Sequence, residues 1–385
     1  MAETAGIAAV LKRATDAGDV PGVAAAVGDK DGVIYEGAFG LRSLGGDAAM
    51  TPDTVCWIAS MTKAVTATAA MQLVERGKLS LDAPIADVLP VLGTVQVLDG
   101  FDADGIAQLR PPKTTMTLRH LLTHTSGFSY NTWNADLGRY MTAHQVPGVG
   151  TCEHKALTTP LVFDPGQRWE YGIGIDWVGK AVEAVSGMRL GQYMKANIFD
   201  PLGMGDTGFK IGPEQRQRLA TVHARTLDGL VTTAMEIPQA PEFEMGGGGL
   251  YSTVSDYLSF ARMMLNGGAL NGQQVLQPAT VALMGQNAMG PIRCGVMTSA
   301  LLGASNDVAF TAGMGWGLSF MINPEPLPTG RSAGSLAWAG LANCYYWIDP
   351  AKGVTGVLAT QVLPFADAKV LKLFQEFETE VYKAV

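Results

Sequence analysis

The 385-residue chain is 47% hydrophobic and 16% charged, which is enough apolar content for a sizeable core and too ordered a composition for a disordered chain. Its formal net charge of −8, with no run of Lys and Arg, argues against nucleic acid or an anionic membrane surface as a partner. The four cysteines, Cys56, Cys152, Cys294 and Cys344, are far apart and form no CxxC pair, so they read as reduced, packed thiols rather than a disulfide frame or a zinc site.

The N-terminal stretch lacks a basic region followed by a long apolar run, and no stretch of about eighteen apolar residues occurs, so a soluble, cytoplasmic protein is expected. Ile7, Val10, Leu11 and Ala14 recur at helical spacing ahead of a "DVPG" break. "GVAAAVGDKDGVIYEGAFG" then reads as a hairpin around a Lys-Asp-Gly turn. Residues 56–77, "CWIASMTKAVTATAAMQLVERG", read as one helix that is apolar most of the way round, with Gly77 as its stop. From there to about residue 305, helical patterns and Gly/Pro-rich loops dominate.

Strand signals return in "MGWGLSFMIN", "SLAWAGLANCYYWIDP" and "VTGVLATQV". The tail then sets Val370, Phe374, Phe377 and Val381 on one helical face. A hairpin near one end and three strands near the other imply one sheet made from both termini. The central helical region is then an insertion. The expected divisions are residues 1–59 with 306–385, and 60–305, with the active site at their interface. The fold class is α+β, an α/β sandwich whose antiparallel sheet is flanked by the terminal helices.

Three motif matches lack the context their chemistry needs. "GRSAG" at 330–334 fits a nucleophile elbow, but a Pro-rich loop precedes it, a strand follows it, and no histidine lies downstream of His223. "HLLTH" offers His120 and His124, yet Leu121 stands where a metalloprotease helix needs glutamate. "GGGG" at 246–249 is followed by no Gly-Lys-Ser/Thr and is no phosphate loop, so a loop packed closely on something is expected.

Ser60-Met61-Thr62-Lys63 is different. Residues three apart share a helix face, with Cβ atoms about 5–6 Å apart, so hydroxyl and amine can meet. The positive end of a helix favours developing negative charge near Ser60, and burial in an apolar helix lowers the pKa of Lys63 towards that of a usable base. Tyr171, in a loop just before an amphipathic helix, is a candidate third group. An ammonium beside its phenol would ease its ionisation.

"SMTK", "LRHLLTHTSGFSY", "DPGQRWEYG", "GGGGLYSTVSDYLSFARMMLNGG" and "GSLAWAGLANCYYWIDP" together resemble, in order and spacing, the serine β-lactamase-like proteins. Within them the likeness is to the family VIII carboxylesterases and the related acyltransferases that load the lovastatin side chain. The resemblance implies a β-lactamase/penicillin-binding-protein-like fold, Ser60 as acylated nucleophile, Lys63 as its activator and Tyr171 as the tyrosine of the Y-x-N motif. It places Trp338-Ala339-Gly340 where β-lactamases carry Lys-Thr-Gly, as a substrate-binding strand. The N–H groups of Ser60 and Leu341 become the oxyanion hole, and Tyr130 an aromatic lining the acyl pocket.

Two departures bear on the substrate: Trp338-Ala339 offers neither cation nor hydroxyl to a β-lactam carboxylate, and Ile173 replaces the Asn of Y-x-N. Losing a charge-assisted contact costs about 1.5–3 kcal/mol, which favours neutral esters over lactams. The expected activity is that of a serine carboxylesterase acting on small to medium esters, with no cofactor and no metal. An acyltransferase using a small alcohol acceptor is the alternative, and β-lactamase or DD-peptidase-like activity a weaker one. The partner expected is a small-molecule ester, with neither nucleic acid nor membrane.

Overall fold

The structure, a computed structural model, describes residues 4–385. Chain order gives α1 (Ala5–Asp16), β1 (Gly22–Asp29), β2 (Val33–Gly40), α2 (Thr62–Glu75), α3 (Gly174–Ser186) and α4 (Val254–Leu265). The C-terminal part adds β3 (Gly315–Trp316), β4 (Met321–Ile322), β5 (Leu336–Gly340), β6 (Cys344–Asp349), β7 (Val354–Ala359) and α5 (Ala368–Ala384).

The seven strands form one sheet in the order β3-β4-β5-β6-β7-β1-β2, each neighbour antiparallel to the next. The two ends of the chain meet where β1 pairs with β7, Ala24 opposite Ala359. The β1–β2 hairpin turns on Asp29, whose carboxylate accepts the N–H groups of Asp31 and Gly32 at 2.8 and 2.7 Å. This is the mixed α/β, antiparallel-sheet architecture expected.

Alternation along β1 sorts the core into two layers. Val23, Ala25 and Val27 face α1 and α5, packing with Ile7, Leu11, Val370 and Phe377. Ala24 and Ala26 face the opposite layer, which holds α2, α3 and α4. Each fully buried Val, Ile, Leu or Phe contributes about 1.5–3 kcal/mol of transfer free energy. A buried ion pair ties the outer layer down: Arg331, in the "GRSAG" loop, donates twice to Glu378 of α5, both bonds at 2.7 Å.

Residues 56–77 are not one helix. Cys56–Trp57 is a short strand paired with Tyr251–Ser252, Ala59–Met61 is a 3-10 turn, and α2 starts only at Thr62. The reason is non-local. The Trp57 N–H is taken by the Gln361 side chain at 3.0 Å and the Ile58 N–H by the Leu250 carbonyl at 3.0 Å, so neither is free for a helical bond. "MGWGLSFMIN" is likewise split into β3 and β4 by a turn with Ser319 at φ +79°.

Helix α2 is buried on every side from Thr62 to Leu73. Its polar donors find partners: Thr66 donates to the Gly246 carbonyl at 2.7 Å, and the Gln72 amide to the Asn197 and Val275 carbonyls at 3.0 and 2.9 Å. Among the described residues no helix is long and apolar enough to cross a membrane.

Candidate active site

Ser60 lies in the 3-10 turn between the Cys56–Trp57 strand and α2. The residue before it, Ala59, has φ +43°. A left-handed alanine costs about 1–2 kcal/mol, strain that the surrounding packing must hold in place. Part of that packing is β5, which crosses directly against the turn. A Cβ on Gly340 would sit 2.3 Å from the Ile58 carbonyl oxygen, so only glycine permits the approach. This brings the N–H of Leu341, just beyond β5, beside the Ser60 turn. Among the described residues neither the Ser60 nor the Leu341 N–H has another main-chain partner.

Lys63 sits in the first turn of α2 and is 0% exposed. Its Nζ has three hydrogen-bond partners: Ser60 Oγ at 3.1 Å, Tyr130 Oη at 3.0 Å and the Gly247 carbonyl at 2.5 Å. Burial brings its pKa down from the ordinary lysine range to about 7, against an opposing pull from the carboxylate of Asp176. A neutral amine has two N–H donors and one lone pair. The three partners then divide naturally, Gly247 and Tyr130 accepting while the lone pair faces Ser60.

Tyr171 is 2% exposed and precedes α3. Its ring centroid lies 4.6 Å from Lys63 Nζ. Its oxygen accepts the indole N–H of Trp338 at 2.9 Å. Burial nonetheless raises the phenol above its usual range, although the Trp338 N–H and the nearby Ser60 side chain act the other way. A neighbouring ammonium is expected to ease ionisation of Tyr171; the shift runs upward instead, because desolvation of a phenolate, with the Asp176 carboxylate adding to it, outweighs the stabilisation from Trp338 and Ser60. At neutral pH Tyr171 is a proton donor, and Lys63 is the group that can be a base.

Aromatic rings close the site. Around Tyr171 stand His124 at 4.6 Å between centroids, Trp338 at 5.0 Å, Tyr130 at 5.4 Å and Trp133 at 5.5 Å. Trp338 in turn meets Trp316 edge-on at 4.7 Å and Phe310 at 6.0 Å. Such a lining excludes water and strengthens the electrostatic interactions inside it.

Ser60, Lys63, Tyr171, Trp338 and Tyr130 are thus brought together, and Gly340 and Leu341 border them through their main chain. Tyr130 does more than line a wall, because its oxygen binds Lys63. Ala339 is the exception. Strand alternation turns its methyl into the outer layer beside α1 and α5, leaving only its main chain on the Trp338 side.

Two neighbours of Lys63 were not among the sequence candidates, Gly247 and Asp176. The only signals were a four-glycine run and an acid in the first turn of an apolar helix. His120 caps its own short helix by accepting the Thr117 N–H at 3.2 Å, while His124, at φ +56°, lies beyond that helix. Among the described residues no group of three or more His, Cys, Asp or Glu side chains is arranged to hold a metal.

A sequence profile of the beta-lactamase family matches residues 7–378. The chain belongs to the beta-lactamase family. It is 34% identical to a monacolin J acid methylbutanoyltransferase of Aspergillus terreus, over 97% of this chain and 94% of that one. It is 31% identical to a lovastatin esterase of Penicillium rubens, over 97% of each. Unliganded simvastatin synthase from Aspergillus terreus superposes with a TM-score of 0.85 at 30% identity, covering 99% of this chain and 98% of the other. A hydrolase with promiscuous acyltransferase activity, EstCE1, has the same fold, with a TM-score of 0.77 at 22% identity over 99% of this chain and 98% of that one. The protein is a serine enzyme of the beta-lactamase fold whose relatives transfer or hydrolyse acyl groups.

Proposed function

We propose that the protein is an acyltransferase that moves a small acyl group, through an ester on Ser60, to an alcohol acceptor. The observation that carries the acyl-serine step is the 3.1 Å contact between Ser60 Oγ and a lysine that is wholly buried and brought down to about 7. Acyl transfer takes precedence over the carboxylesterase reading because identity to the methylbutanoyltransferase (34%) exceeds that to the lovastatin esterase (31%), and simvastatin synthase superposes better (TM-score 0.85) than the hydrolase EstCE1 (0.77).

In this mechanism Lys63 takes the Ser60 proton as Oγ forms its bond to the acyl carbonyl carbon. The N–H groups of Ser60 and Leu341 receive the oxyanion, preorganised stabilisation of the kind that is usually the largest catalytic contribution. As the bond from the carbonyl carbon to the leaving group breaks, Tyr171 donates its proton to that group and is reprotonated from Lys63. The acceptor alcohol then repeats the sequence in reverse. The Trp338 N–H and the Lys63 ammonium, 4.6 Å from the Tyr171 ring, stabilise the transient phenolate. Trp338 and Ile173, both buried, provide neither the cation nor the amide that a β-lactam needs, so lactam cleavage is a minor activity at most in this reading.

Hydrolysis is the second reading, favoured by the lovastatin esterase relative. Intact-mass measurement with a panel of short-chain p-nitrophenyl esters, with and without alcohols, tests both. A mass increase equal to the acyl group, lost in Ser60→Ala and discharged faster by an alcohol with formation of its ester, is expected. Discharge indifferent to alcohols makes the protein an esterase, and unchanged turnover in Ser60→Ala overturns the acyl-serine reading.

A further inference from the structure

We infer that Asp176 is a positioning residue for Lys63: it holds the Gly247 main chain against the amine and supplies the buried counter-charge that sets Lys63's strength as the base for Ser60. This inference rests on the acyl-serine reading above and adds a residue to it. Asp176 is in the first turn of α3 and 0% exposed. One carboxylate oxygen accepts the Gly247 N–H at 2.8 Å, and the Gly247 carbonyl accepts Lys63 Nζ at 2.5 Å. A Cβ on Gly247 would come within 2.5 Å of the second oxygen, so the contact requires glycine.

That second oxygen is buried with no hydrogen-bond partner. A carboxylate that only capped its helix would face solvent or satisfy both oxygens, because an unpaired buried acceptor costs about 1–3 kcal/mol. What compensates it is charge. Lys63 is the cation that acts on Asp176, and Asp176 is the group that opposes the loss of the Lys63 proton.

The other titratable groups facing the pair are silent near neutrality. Burial holds Tyr130 and Tyr171 above the usual phenol range, raises Cys152 to about 12, and holds His124 well below the usual imidazole range. The loop carrying Gly247 contributes two acids, both engaged elsewhere: Glu242 accepts the His154 N–H at 2.6 Å, and Glu244 accepts the Gly191 N–H at 2.7 Å and lies 3.7 Å from Arg189. Lys63 and Asp176, the latter raised to about 6 by burial, are left as the groups that change charge around neutral pH. Asp176 does for the lysine what a buried acid does for a catalytic imidazole. It stabilises the cation that exists only after the serine has given up its proton.

The test is the rate at which a fluorophosphonate labels Ser60 as a function of pH, which needs no knowledge of the substrate. Asp176→Asn keeps a hydrogen-bond acceptor for Gly247 and removes the charge. The acid limb of the labelling rate is expected to move by about 1 to 3 pH units towards acid. The plateau is expected to fall by about tenfold, since a less basic amine is a weaker catalyst. A purely structural acid would lower the rate at every pH and leave the limb where it was, and that result overturns the inference.

No labelling of Ser60 in the wild type overturns the acyl-serine reading and this one with it. Labelling with an unmoved limb overturns this one alone. If Asp176→Asn does not fold, the wild type with 13C at lysine Cε gives the answer. The Lys63 resonance, assigned by its loss in Lys63→Arg, is expected to titrate near neutrality with a second, smaller inflection as Asp176 protonates. A single inflection in the ordinary lysine range overturns the inference.

Discussion

Replacing Trp338 with phenylalanine removes one hydrogen bond and keeps most of an aromatic ring. The bond is the indole N–H to the Tyr171 oxygen, at 2.9 Å, between residues that are 6% and 2% exposed. While Tyr171 is a phenol, a bond of this kind contributes about 0.5–1.5 kcal/mol; as the phenol gives up its proton, the same bond becomes charge-assisted and contributes about 1.5–3 kcal/mol. The excess of about 1–1.5 kcal/mol belongs to the transition state alone, and each 1.36 kcal/mol is a factor of about ten in rate. Trp338→Phe is therefore expected to lower kcat about tenfold while KM changes much less, because an interaction made only in the transition state is lost.

The assay is the burst of p-nitrophenol on mixing with a p-nitrophenyl ester, which isolates acylation. It is read beside a thermal melt, since the smaller ring loosens contacts with Trp316 and Phe310 at 4.7 and 6.0 Å. A modest loss of stability is compatible with the argument. An unchanged kcat with a raised KM is not: Trp338 would then be a pocket wall, and its bond to Tyr171 incidental to the chemistry.

Two further outcomes follow from the same geometry. Because Lys63 must be neutral to accept the Ser60 proton and is brought down to about 7, kcat/KM is expected to rise with pH through that value; a profile flat from mildly acid to mildly alkaline pH would remove Lys63 from the role of base. Gly340→Ala is expected to destabilise the fold by about 1–3 kcal/mol and to slow Ser60 labelling, since its Cβ would meet the Ile58 carbonyl oxygen at 2.3 Å and push β5 off the nucleophile turn. Gly32→Ala, where no heavy atom lies within 4 Å of the added carbon, is the matched control and should stay within about 0.5 kcal/mol of wild type in the same melt.

Local pattern made much of the sheet and its flanking helices legible. The alternation in β1, the hairpin turn and the spacing of Val370, Phe377 and Val381 in α5 are short-range signals, and each leads to the element it names. What escaped depends on partners distant in the chain. Trp57 and Ile58 have helix-compatible neighbours but give their N–H groups to Gln361 and Leu250, more than 190 residues away for Leu250 and 304 for the Trp57–Gln361 bond. Asp176 looked like part of an ordinary amphipathic helix because Gly247, the reason for its burial, lies 71 residues further on. The direction of the Tyr171 shift escaped for another reason. The family pattern places a lysine and a tyrosine in one site, but the depth of burial that raises the phenol cannot be read from it.

The nucleophile region also opposes the stability of the fold around it, and the sign of that opposition can be worked out. Lys63 binds its proton at about 7 in the folded chain, while an unfolded lysine does so near 10.4. Between these values the unfolded chain holds more protons, so this group makes the fold more stable as pH rises and leaves its full penalty below about 7. The penalty is on the order of a few kcal/mol, and the left-handed Ala59 adds about 1–2 more. Neither is needed to build α2, since an apolar residue at position 63 would fill the same helix without desolvating an amine. A core that carries a strained alanine next to one serine, a weakened lysine on its hydroxyl, and behind that lysine a carboxylate with one unpaired oxygen is organised for proton transfer at that serine rather than for stability.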